Sequence, residues 1–290
     1  DRGNERRRDV GAPRDQQGAN SMNILSKTWL AAVAAAFLLS TPTMSAEAGD
    51  LKDASEIVNR TNNAQYYAAN DGRALVRMKI VDSKGRSQRR QFAVLRRDLK
   101  DGGDQNYLVV FDQPADVRNT AFLVKKHTNK DDDRWLYLPG LDLVKRIAAS
   151  DERTSFVGTH FFYEDISGRH PSEDKHELLE TTDTEYVVKS TPKSKKGVEF
   201  AHYTLHINKK TFLPSKIEYV NAQGKVYRRI ETVSSSAIQG HATITRLKVS
   251  DLESGGYTLS DVSKVQYDLG IPDGIFVEGS LRNPPQKWLR

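Results

Sequence analysis

Between positions 74 and 268 the chain is built from about a dozen short runs of strand-like sequence, most of them separated by turn residues. In ALVRMKIV (74–81), Ala74, Val76, Met78 and Ile80 point one way while Arg77 and Lys79 point the other, the two-residue period of a strand. QRRQFAVLRR (88–97), NYLVVFD (106–112), NTAFLVK (119–125), RWLYLP (134–139) and LVKRIA (143–148) follow. After a gap come TEYVVKST, VEFAHYTLHI, LPSKIEYV, KVYRRIET, HATITRLKVS and YTLSDVSKVQYD. Turns such as Ser83-Lys84-Gly85, Asp101-Gly102-Gly103 and Glu253-Ser254-Gly255-Gly256 divide them in the manner of an antiparallel meander. Helical spacing is clear only in 51–70, where Leu51, Ala54, Ile57 and Val58 share a face, and Asp71-Gly72 is the expected stop. Strands do not alternate with helices, which argues against a doubly wound parallel sheet, and no fixed-length repeat suggests a propeller. The expected fold is mainly β (α+β): one highly curved antiparallel sheet, an incomplete barrel covered by helices.

That domain is expected to span 49–290. Before it, residues 1–21 are polar and Arg-rich and read as disordered, or as sequence upstream of the true start. Met22 opens the pattern of a secretory signal peptide over 22–48. Lys27 supplies the charged region, Trp29–Leu39 the apolar run, and Ala46-Glu47-Ala48 the small-residue junction, with cleavage after Ala48 or Ala46. Eleven apolar residues are too few to span a bilayer as a helix. The protein is therefore expected in the periplasm. Its formal net charge of +6 falls to +4 once residues 1–46 leave with six basic and four acidic side chains. That charge is too small to argue for nucleic acid.

The chain has no cysteine. This excludes disulfides, thiolate metal sites, a cysteine nucleophile and a lipidated cysteine anchor.

Catalytic groupings are sparse, and no G-x-S-x-G elbow or phosphate-cradling loop occurs. His202 and His206 fall in a strand, roughly 13 Å apart by strand rise, too far for one metal. Asp131–Asp133 lacks EF-hand spacing. His160, Glu164 and Asp165 form either a His–carboxylate pair for general base work or, the favoured reading, carboxylates that hold a loop backbone. Neither a cofactor nor a metal is expected. Arg86, Arg89, Arg90, Arg96 and Arg97 read as a solvated strand face, with transient contact to anionic head groups as the alternative.

The segment 149–176 has no clear period yet holds Phe156, Phe161, Phe162 and Tyr163. A loop this long and aromatic is expected to fold over something apolar. Together with Val76, Met78, Ile80, Phe92, Leu108, Phe122, Trp135 and Tyr137 on or near one sheet face, Phe156, Phe161 and Tyr163 are the expected lining of a ligand cavity. Burying an acyl chain there yields about 0.8 kcal/mol per methylene.

The stretch DDRWLYLPGLDLVKRIAASDERTSFVGTHFFYEDI resembles the signature of the LolA-like outer membrane lipoprotein-sorting family. The shared parts are Trp135-Leu136-Tyr137-Leu138-Pro139, Val144-Lys145-Arg146-Ile147, and Ser155-Phe156-Val157-Gly158 with Phe161, Tyr163, Glu164, Asp165 and Ile166. FDQPADVRNTAFLV (111–124) and the tail IPDGIFVEGSLRNPPQKWLR extend the likeness over 50–290. Asn119 stands where the family usually has Gly, and Val157 where Met is common. The resemblance implies an incomplete β-barrel over a hydrophobic cavity, and a periplasmic carrier of lipid or lipoprotein acyl chains. Some relatives are associated with RND-type inner-membrane transporters, so an accessory module docking such a transporter is the alternative function. A hydrolase using His160 with Glu164 is the third.

Overall fold

The computed structural model describes residues 49–290. The leader-like segment and the stretch before it lie outside the described residues. Among the described residues the one long helix, α1 (Ala54–Tyr66), begins where Asp53 accepts a hydrogen bond from the Ser55 amide at 2.8 Å, satisfying a free helix-end donor. It buries Ala54, Ile57, Val58 and Thr61, which recur on one face at helical spacing. It ends four residues earlier than the pattern predicts. The Arg96 guanidinium takes the carbonyls of Tyr66, Ala68 and Ala69, groups that a longer helix would have used internally. Asp71 and Gly72, the expected stop, are instead the first residues of a strand.

Thirteen strands follow: β1 (Asp71–Asp82), β2 (Ser87–Asp98), β3 (Gln105–Gln113), β4 (Ala121–Lys126), β5 (Asp133–Leu138), β6 (Leu143–Ile147), β7 (Asp174–Thr181), β8 (Glu185–Pro192), β9 (His202–Asn208), β10 (Pro214–Val220), β11 (Val226–Ile238), β12 (His241–Asp251) and β13 (Gly256–Tyr267). Every pairing is antiparallel. The sheet order is β6-β5-β4-β3-β2-β1-β13-β12-β11-β10-β9-β8-β7. Two meanders therefore meet at a β1–β13 seam, with Gly72 opposite Tyr267 and Asp82 opposite Gly256. The sheet stays unclosed, with β6 and β7 as its free edges.

The segment joining those edges is the aromatic stretch after β6. It contains the short helix α2 (Tyr163–Ser167) and two 3-10 turns. Its last part is β7, a strand the sequence hides because its burial is patchy and it carries three acidic residues. Asn119 takes a φ of 64°, the left-handed conformation that glycine adopts freely and asparagine tolerates, so the turn survives the substitution. Val157 also has positive φ, 49°, which is unfavourable for a β-branched residue.

The sheet has two apolar faces. The inner face carries Val76, Met78, Phe92, Tyr107, Val109, Phe111 and Phe122 and packs under α1 and the aromatic segment. The outer face carries Leu95, Leu108, Val110 and Leu123 and is covered by Ile271, Phe276 and Leu281 of the tail, which includes the short helix α3 (Gly279–Arg282). Among the described residues, no helix is long and apolar enough to cross a membrane.

Candidate ligand cavity

The aromatic segment crosses the inner face as a bar. Its middle residue, Phe156, is fully buried. Its ring lies 5.4 Å from Phe122, 5.7 Å from Phe111, 6.1 Å from Phe92 and 5.6 Å from Tyr163. These rings fill the β3–β5 side of the inner face.

The tip of the bar is pinned to the other meander. The His160 amide donates to Thr258 Oγ1 at 3.0 Å, and Nδ1 of the ring lies 2.8 Å from the same hydroxyl. Burial lowers the His160 pKa. Gly256 makes the fit possible: a Cβ there would lie 2.8 Å from the Val81 carbonyl oxygen and 3.0 Å from His160 Nε2. Asp165 accepts from the Phe162 amide at 2.6 Å and pairs with Arg228 of β11. Glu164 accepts from Arg153 Nη1 at 2.6 Å and lies 3.4 Å from Arg169 Nη1. His160 has neither carboxylate as a hydrogen-bond partner. Asp165 bonds the segment's own backbone, as the favoured sequence reading has it, whereas Glu164 holds the segment through two arginine side chains.

Beyond the bar, the inner face is left partly empty. A cavity of about 270 Å³ lies beneath the C-terminal half of α1, against β1, β2, β12 and β13. Val76, Met78, Phe92, Val94, Leu247 and Val262 supply much of its apolar wall. A smaller cavity of about 100 Å³ lies against β9–β11, beside Val58, Leu205, Ile217 and Ile230. Tyr66, Phe161 and Leu247 line both. Gly168 seats α2 against α1: with φ +78°, its missing Cβ would fall 2.5 Å from the Tyr66 ring.

Of the expected lining residues, Val76, Met78, Phe92 and Phe161 line the larger cavity. Ile80 is buried on β1 but is not part of the wall. Phe122, Phe156 and Tyr163 belong to the solid aromatic cluster. Leu108, Trp135 and Tyr137 lie on the outer face, packed with the tail cluster. Their placement corrects the single-face grouping: β3 is buried on both faces, and β5 is apolar at both parities, so alternation cannot say which side is inner. Tyr66, Leu247, Val262 and Tyr267 of the wall were missed. The alternation of β12 and β13 marks them only once the β1–β13 pairing is known.

The arginine stretch is also divided. Arg90 and Arg96 are buried, and Arg97 donates to the Ile271 carbonyl at 2.7 Å. It is not one solvated face. His202 and His206 of β9 lie in the strand, as expected, and His206 Nδ1 sits 3.6 Å from Glu185. Among the described residues, no three His, Asp or Glu side chains are grouped to hold a metal.

A third, polar cavity of about 400 Å³ separates the β4–β5 turn from the end of the bar. Arg134 there donates to Glu152 at 2.7 Å and Asp132 at 2.8 Å. Burial pushes the Glu152 carboxyl up to about 7, with Arg134 opposing and Glu164 adding to the rise. Lys126, 1% exposed, donates to the Ser167 carbonyl at 2.6 Å beneath the rings of Tyr66 and Tyr67. Burial lowers its pKa to about 8. The unfolded lysine titrates near 10.5, so between pH 8 and 10.5 the unfolded chain holds the extra proton and stability rises with pH. Below pH 8 the cost of charging Lys126 is fully present. Lys126→Met is expected to flatten this rise. Urea midpoints measured from pH 7 to 10 check it; an unchanged slope would exclude Lys126 as its source.

An open, curved antiparallel sheet with an apolar chamber on its inner face is a fold this chain shares with several solved structures. A solved DUF1329 family protein from Desulfovibrio piger is 28% identical, covering 79% of this chain and 97% of that one, with TM-score 0.72. An outer membrane lipoprotein-sorting protein domain from Vibrio parahaemolyticus is 24% identical over 79% of this chain and 98% of its own, TM-score 0.73. A LolA superfamily protein from Nitrosomonas europaea is 22% identical over 79% and 99%, TM-score 0.62. A family model described only as that of an uncharacterized protein matches residues 103–283, and the chain belongs to that family. No curated protein matches the sequence.

Proposed function

We propose that this protein is a non-enzymatic periplasmic carrier that holds acyl chains of lipids or lipoproteins in the inner-face cavity for sorting toward the outer membrane. The apolar chamber of about 270 Å³ carries the reading. Its walls offer aliphatic and aromatic contacts, and each methylene moved from water into them contributes about 0.8 kcal/mol. Part of that gain is spent on ordering the ligand. The leader-like sequence at 22–48 supports export.

The test is lipid extraction from protein recovered from its native envelope, paired with two variants. Val262→Asp puts a charge on the cavity wall, and binding of a fluorescent fatty acid is expected to fall at least tenfold, since an unpaired charge in an apolar site costs several kcal/mol. Trp135→Glu puts the same kind of charge on the outer face and is expected to leave binding unchanged. Equal losses in both variants, or native protein free of lipid, would remove the cavity from the function.

A further inference from the structure

We infer that the cavity takes one acyl chain of limited length, and that Phe161, with Leu247, is the stop that sets that length. This inference rests on the carrier reading and specifies its cargo: a single-chain amphiphile, or one chain of a larger lipid.

The inner face cannot offer two parallel chambers. Its β3–β5 side is solid, because Phe156 is enclosed by Phe92, Phe111, Phe122 and Tyr163 at ring separations of 5.4–6.1 Å. Phe156 is held there by its own backbone, whose amide donates to the Phe161 carbonyl at 2.7 Å. What remains is the 270 Å³ chamber on the β1, β2, β12 and β13 side. An apolar cavity of about 150 Å³ accommodates one six-carbon ring. By that yardstick the chamber holds about ten carbons, one chain of medium length and not a pair.

The chamber ends against a partition. Phe161 is 6% exposed, and with Tyr66 and Leu247 it lines both this chamber and the 100 Å³ cavity against β9–β11. The second cavity continues the apolar surface through Leu205, Ile217 and Ile230 before it meets Glu164 and Arg169, while Asp165 lines both cavities at the partition. Removing the partition would add room for about four more carbons by the same yardstick. The tip that carries Phe161 is fixed on both sides of that residue, by His160 to Thr258 and by Asp165 to Arg228. The ring therefore cannot retreat without breaking a pin.

The experiment is competition by saturated fatty acids of about eight to eighteen carbons, and by diacyl phospholipids of matching chains, against a fluorescent fatty acid on the exported protein. About ten carbons is the expected optimum for the native protein. One chain per molecule and at least tenfold weaker binding of diacyl lipids are also expected. Phe161→Ala and Leu247→Ala should each move the optimum up by about four carbons. Leu247 is only half-buried and lies outside the pinned tip, so its variant tests the partition even where Phe161→Ala fails to fold. Phe276→Ala, buried on the outer face, should leave the optimum where it was. The stop is overturned if the longest chains bind native protein best, if diacyl lipids bind as well as single chains, or if the optimum stays fixed in both partition variants. Native protein that binds no chain at all overturns the carrier reading beneath it.

Discussion

Phe156→Ala is expected to destabilise the protein by about 3–5 kcal/mol, the range for deleting a large buried aromatic side chain. Its ring touches four others drawn from β2, β3, β4 and α2, so the hole left behind would be walled by residues fixed in the sheet. A site that cannot collapse keeps the full cavity cost. For a domain of this size each kcal/mol lowers the melting temperature by about 2–4 °C. Urea unfolding checks the expectation through a lower midpoint at constant slope, since a changed slope would signal a different unfolded or native compactness. A loss under about 1 kcal/mol would show that the bar relaxes into the gap, and that the aromatic cluster is not what holds it.

Glu164→Ala is expected to cost a similar amount, about 3–5 kcal/mol, through electrostatics. Glu164 is 3% exposed and stands between buried Arg153 and half-buried Arg169. Arg153 lies 4.7 Å from the Phe200 ring centre and 4.8 Å from that of Tyr219. These faces favour a cation but do not replace a carboxylate. Deleting one partner of a buried pair leaves the other charged and poorly solvated. The second acid on Arg153, Glu199, is far more open to water, and Glu199→Ala should cost only about 1 kcal/mol, the upper end for exposed pairs. Equal costs for the two variants would contradict the ranking by burial.

The strands of the first meander and most of the second were legible because β1, β8, β9 and β10 each alternate against water or carry clear turns. The helix face was legible too, since Ala54, Ile57 and Val58 recur at helical spacing. The end of α1 was not, because it is set by Arg96, thirty residues later in the chain. β7 was hidden because a half-exposed edge strand has little apolar alternation to show.

The site divides in the same way. The bar announced itself through four aromatics in eight residues, and Phe161 lines the larger chamber. Trp135 and Tyr137 fall on the other face because β5 is apolar at both parities, with Leu136 buried in the inner core and Trp135 and Tyr137 half-buried against the tail. Apolar residues at both parities erase the periodic signal on which face assignment depends. Leu247 and Val262 were invisible as wall residues, for they reach the chamber only through the pairing of the first strand with the last.

That seam has a temporal consequence. Gly72 and Tyr267 lie nearly two hundred positions apart yet face each other across the centre of the sheet. Each meander can assemble from neighbours, but the chamber between β2 and β12 does not exist until the final strand arrives. Long-range pairings of this kind are slow because a large loop must close before any contact rewards it. The inner-face chamber therefore depends on the last strand, and its walls cannot come together until the chain through Tyr267 has been made.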